Sequence, residues 1–76
     1  MDTKQKKQLV EKLIQISEEN IYRGELEKRF ANRMIISGKN KQRYDGFLKQ
    51  ATFLEEEERE RLKTYQDALK ELNDKN

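Results

Sequence analysis

The sequence predicts an all-α fold, a small bundle of three or four helices. Three observations carry that prediction. Apolar residues recur at spacings of three and four through most of the chain, the period of one helix face. There is no proline among the 76 residues and there are only three glycines, so little interrupts a helix. The stretch Thr52–Leu72 carries an N-terminal signature followed by a seam.

That stretch is the most completely specified. Thr52-Phe53-Leu54-Glu55 has the form of a capping box, in which an N-cap threonine and a glutamate at N3 satisfy each other's backbone amides. Glu55 to Glu58 then fall near the helix N-terminus, where the dipole favours negative charge. Leu62, Tyr65, Leu69 and Leu72 form one apolar seam, and Glu55–Arg59 and Glu57–Arg61 are i,i+4 pairs with the acid first. The spacing predicts a helix over 53–74.

Upstream, Asp2 or Thr3 can cap a first helix over 3–19, whose broad face holds Leu9, Val10, Leu13, Ile14, Ser17 and Ile21. Residues 20–24 read as a connection because Gly24 disfavours a helix interior by about 1 kcal/mol relative to alanine. A second helix over 24–37 aligns Leu26, Phe30, Ala31, Met34 and Ile35 and stops at Gly38. Ser37-Gly38-Lys39-Asn40 is the strongest turn signal in the chain. Asn40 can cap a third helix over 41–51 carrying Tyr44, Phe47, Leu48 and Ala51, with Asp45-Gly46 an interruption or a glycine tolerated for close packing.

Residues 44, 48, 51, 55, 58, 62, 65, 69 and 72 also make an unbroken 4-3-4-3 ladder, so the last two helices can be one. Two glutamates on that ladder weaken a buried seam at mid-length, and the reading preferred here is a break at Thr52. Residues 1–76 make a single helical domain. Only 33% of them are apolar, and a core of that size supplies roughly 3–5 kcal/mol. The helix faces nevertheless offer more apolar surface than one short chain buries, so a homodimer is expected.

Composition also narrows the chemistry. The chain has neither Cys nor His, which removes the usual zinc sites and the Ser-His and Cys-His nucleophile pairs. Little volume is left for a water-excluded pocket. No enzymatic activity, cofactor or metal is expected. No apolar run reaches the length of a signal sequence or the ~18 residues of a membrane span, so the expected setting is the cytoplasm. Richness in Lys, Glu, Asn and Ile suits an AT-rich genome, including that of a phage or plasmid.

Charge is segregated. Residues 1–22 balance four lysines with four acids, 23–49 carry eight basic residues against three acids, and 50–76 carry five against eight. Two functions follow as expectations. The leading one is a small non-catalytic interaction or regulatory protein that docks a helix face to itself or to a protein partner, through Leu62, Tyr65, Leu69, Leu72 and Phe53. Phe53 fits its seam least well and is a candidate anchor. The alternative is a DNA-binding accessory or regulatory protein using the basic 23–49 segment, with Arg29, Arg33, Lys39, Lys41 and Arg43 on phosphates. The basic block can instead complement Glu55 to Glu58, within the chain or across a dimer. The aromatic residues sit mostly at helical spacings and are expected in the core.

Overall fold

The computed structural model describes residues 1–74 and is a helical hairpin. Two helices of equal length, α1 (Thr3–Ile36) and α2 (Lys41–Asp74), each of 34 residues, are joined by a four-residue turn. At ~1.5 Å per residue each helix is about 51 Å long, which accounts for a rod of 56 × 16 × 14 Å. A turn this short leaves the helices antiparallel.

The capping of α1 follows its sequence. Asp2 sits in extended conformation and accepts from Gln5 N at 2.8 Å, and Asp2 N donates to Gln5 Oε1 at 3.1 Å. The far end closes where the turn was expected. Ser37 N donates to Arg33 O at 3.0 Å and Gly38 N to Ile35 O at 3.1 Å. Gly38 has φ +78°, a conformation that glycine adopts without a Cβ penalty. Asn40, with φ +50°, is one of the few residue types that tolerate this region. Its backbone starts α2, its carbonyl accepting from Tyr44 N at 3.1 Å.

Two expected boundaries are absent. Residues 20–24 are continuous helix, so the helices expected over 3–19 and 24–37 are one. Thr52 caps nothing, and the helices expected over 41–51 and 53–74 are also one. Its hydroxyl donates to the Leu48 carbonyl at 2.9 Å, the i−4 bond of a helix interior. The bundle of three or four helices is therefore a pair. The reason lies in the seam. On α1, Lys7, Val10, Ile14, Ser17, Ile21, Gly24, Lys28, Ala31 and Ile35 are all buried or half-buried, an unbroken 3-4 alternation that runs straight through Gly24. On α2 the full ladder from Tyr44 to Leu72 is buried or half-buried, glutamates included. Packing along two unbroken stripes outweighs the ~1 kcal/mol propensity penalty at Gly24 and again at Gly46. Close packing is not why those glycines are tolerated, since a Cβ built on either would meet nothing within 4 Å.

The core is thin. Among the described residues the buried apolar side chains are Ile21, Ala31 and Ala51, two of them single methyl groups. The expectation of an aromatic core fails for Tyr22, Phe30 and Phe47, which are exposed, while Tyr44 and Tyr65 are half-buried on the seam and Phe53, set apart as a candidate anchor, is exposed. Two stripes alone make a seam too narrow to cover rings lying one or two positions outside it.

Candidate functional site

The centre of the seam is polar. Ser17 is fully buried, and its hydroxyl donates to Glu58 Oε1 at 2.6 Å. Glu58 also accepts from Arg61 Nη1 at 2.8 Å. One turn nearer the loop, Glu55 is buried and accepts from Lys28 Nζ and, at 2.9 Å, from Arg59 Nη2. Arg59 reaches on to Glu25 at 3.4 Å. The Lys28 ammonium, then the Arg59 guanidinium, hold the Glu55 carboxyl below the usual glutamate range. These carboxylates are committed to cations and a hydroxyl of the same chain. Among the described residues no cluster of three metal-ligating side chains occurs.

The contacts across the seam define two flanks of the rod. The Glu25–Arg59 pair marks one. Residues seven apart on a seam of this period point the same way, so this flank carries Glu11, Glu18, Glu25 and Asn32 of α1 beside Asp45, Thr52, Arg59 and Gln66 of α2. All eight are polar. The other flank is marked by a shallow groove of about 200 Å³ lined by Asn20, Arg23, Gly24 and Glu27 of α1 and by Ala51, Leu54, Glu55 and Glu58 of α2. The heptad rows through Arg23 and Glu27 add Leu9, Ile16 and Phe30, then Leu13 and Met34. The row through Leu54 adds Phe47, Arg61 and Ala68. Leu9, Ile16, Phe30, Phe47 and Leu54 are each between 39% and 54% exposed. Of the remaining exposed large hydrophobics, Tyr22 and Ile36 lie one row beyond the polar flank, Leu26 and Phe53 lie on the outer faces, and Met1 precedes α1. The rows bordering the seam are therefore polar on one flank, while the other flank carries large apolar side chains towards both ends, with Asn20, Arg23, Glu27 and Arg61 between and Lys6 at the α1 N-terminus.

The residues singled out in the sequence are distributed as follows. Leu62, Tyr65, Leu69 and Leu72 lie on the seam toward α1 and are half-buried within the chain. Phe53 is 59% exposed and borders an open depression with Glu56, Glu57, Glu60 and Arg61. Lys39, Lys41 and Arg43 lie in the turn and the first turn of α2, and Arg29 and Arg33 on the last turns of α1; all five are exposed. None of them forms an ion pair among the described residues. The Arg43 guanidinium lies 5.9 Å from the Tyr44 ring, and Tyr44 packs edge-on against Phe30 at 5.9 Å. The partners that Glu55 does find are Lys28 and Arg59, not the cations of the turn. Sequence reasoning placed Ser17 on the broad face of the first helix but passed over Lys28, and it gave neither a partner across the seam. The signal was present as their 3-4 register with Ile14, Ile21 and Ile35, although its polar members hid the period.

Fold and site together define a helical hairpin with a polar-centred seam, one apolar flank and a basic tip. No helix among the described residues is long and apolar enough to cross a membrane. No family model matches the chain, and no curated protein or solved structure matches it.

Proposed function

We propose that this chain is a small non-catalytic interaction module that works by docking the apolar flank of the hairpin onto another helical surface, its own or that of a protein partner. The observation that carries this reading is the contrast between flanks. In the rows that border the seam, the same two helices present eight polar residues and no apolar one on one side, and Leu13, Met34, Phe47, Leu54 and Ala68 among nine residues on the other. Scattered exposed hydrophobics are ordinary, whereas a one-sided set rimmed by charge marks a contact surface. Helix-in-groove and helix-bundle recognition use this kind of face. The test is photo-crosslinking in cells with a benzophenone side chain at Phe47 and, as control, at Gln8, one row beyond the polar flank. A discrete adduct from Phe47 and none from Gln8 is expected. Absence of any Phe47 adduct overturns the reading.

A second reading has its own observation. Five exposed cations that form no ion pair among the described residues lie in the turn and on the helix turns next to it, and the first turn of α2 holds no acid. A phosphate backbone is the complementary ligand, and the alternative function is a DNA-binding accessory protein. Duplex binding would then weaken linearly in log salt, with a slope of about 0.9 per phosphate neutralised. The triple variant K39A/K41A/R43A would flatten that slope and leave the helicity intact. No duplex binding at low salt removes this reading.

A further inference from the structure

We infer that the occupant of the apolar flank is a second copy of this chain, related by a two-fold axis that runs across the rod at its midpoint and sets the two turns at opposite ends. This rests on the docking reading above and specifies its partner. The first argument is area. A compact monomer of 9.2 kDa exposes about 4,900 Å², and this hairpin exposes 6195 Å². The surplus of about 1,300 Å² exceeds the ~800 Å² per partner that a standard interface covers. Covering one flank with an identical flank turns a two-stripe seam into a four-helix core.

The second argument is register. The midpoints of the helices fall between residues 19 and 20 of α1 and between residues 57 and 58 of α2. A two-fold axis through both brings Leu9 level with Phe30 of the second copy and Phe47 level with Ala68 of the second copy. Each bulky ring then meets a smaller aliphatic side chain. Nearer the axis, Arg23 stands level with Ile16 of the second copy and Arg61 with Leu54 of the second copy, so the aliphatic stem of each arginine can cover an apolar side chain. An isologous contact requires this kind of self-complementarity.

The third argument is charge. Residues 28–49, the turn end, carry seven basic side chains and one acid. A parallel two-fold would lay two such ends side by side. The antiparallel one separates them by roughly the 56 Å length of the rod, well beyond the ~8 Å Debye length of physiological salt. The opposite end has nearly balanced charge, so each basic tip lies beside a neutral neighbour.

The test uses the full chain. Light scattering at about 100 µM, a concentration chosen to populate even a micromolar dimer, is expected to give twice 9.2 kDa. The chain has no cysteine of its own, so introduced thiols report cleanly. In L9C/F30C the two thiols of one chain are about 31 Å apart along α1, and a short bifunctional maleimide cannot join them. It should join two chains in high yield. L9C and F30C alone should not crosslink, because like positions of the two copies are also about 31 Å apart in this arrangement. Helicity by circular dichroism verifies that the variants fold, and the unsubstituted chain gives the mass without any substitution. A dimer whose single variants crosslink as well as the double overturns the antiparallel arrangement. A monomer overturns the second copy. If Phe47 then yields an adduct with a different protein, docking stands with a foreign partner. If it yields none, both inferences fall.

Discussion

Replacing Gly24 by alanine should stabilise the protein, and the size of the gain is set by the structure. Gly24 lies in the interior of a 34-residue helix, seven residues from both Ser17 and Ala31 on the same stripe. Alanine is favoured there by about 1 kcal/mol, because glycine loses more backbone freedom on entering a helix. A Cβ at this position meets nothing within 4 Å. No clash opposes the gain, and no new packing contact enlarges it. The expected change is therefore about 1 kcal/mol, or roughly 4–8 °C in melting temperature for a domain of this size. Urea denaturation followed by circular dichroism measures it, at one fixed chain concentration because association would shift the apparent stability. The midpoint should rise while the slope stays the same, since the surface exposed on unfolding is unchanged. Were residues 20–24 a connection between two helices, with Gly24 supplying a turn conformation, alanine would destabilise by a similar amount. A lowered midpoint for Gly24→Ala refutes the continuous α1.

Three further changes probe other parts of the hairpin. Thr52→Ala removes a hydroxyl that bonds back to Leu48 in mid-helix, so stability should stay level or rise by up to about 0.7 kcal/mol; a loss near 1 kcal/mol in the same denaturation assay would restore a helix start there. Gly38→Ala forces a Cβ onto φ +78° and should lose about 1–2 kcal/mol, so an unchanged midpoint would contradict the turn. Glu55 has a folded pKa below its ordinary value, so the unfolded chain binds the proton first and stability rises with pH between the two values. That contribution is complete above the ordinary glutamate range and is lost as pH falls through the folded pKa; Glu55→Gln should flatten this part of the stability–pH curve, and an unaltered curve would rule out the Lys28 and Arg59 pairing.

Helix type, the Asp2 cap and the turn at 37–40 were legible because each rests on local chemistry: a side-chain acceptor before a periodic run, and glycine and asparagine where φ is positive. The number of helices was not. Gly24 and Thr52 carry the local marks of boundaries, and only the partner helix overrides them. The α2 ladder could be read whole from the sequence, yet it was discounted because Glu55 and Glu58 stand on it. What makes those positions habitable is Lys28 and Ser17, which lie 27 and 41 residues away. No pattern within α2 alone reveals them. The candidate site divides in the same way. Grouping the basic residues around the turn needed only their positions in the chain. The apolar flank needed the seam first, since left and right have no meaning on a helix until its buried stripe is known.

The polar centre of the seam bears on how the hairpin holds one register. Aliphatic layers repeated every seven residues look alike after a one-heptad slip, so they discriminate poorly between alignments. Glu55 and Glu58 break that equivalence. Shifted by seven residues along α1, the level now occupied by Lys28 would hold Ile21 or Ile35, and the level of Ser17 would hold Val10 or Gly24. In either shift each carboxylate loses its donor across the seam and keeps only the arginine of its own helix, Arg59 or Arg61, and a buried carboxylate stripped of a partner costs more than a lost apolar contact. The turn fixes register by connection; the polar layers fix it by chemistry, and they do so at mid-rod, where the turn's influence is weakest. The same layout recurs on the flank, where Asn20, Arg23, Glu27 and Arg61 occupy the middle and the large apolar side chains stand toward the ends. A second hairpin sliding along that face would carry Phe30 and Phe47 onto these central charges. Within the chain, the polar centre sets the alignment, and the apolar layers on either side of it supply the area that holds it.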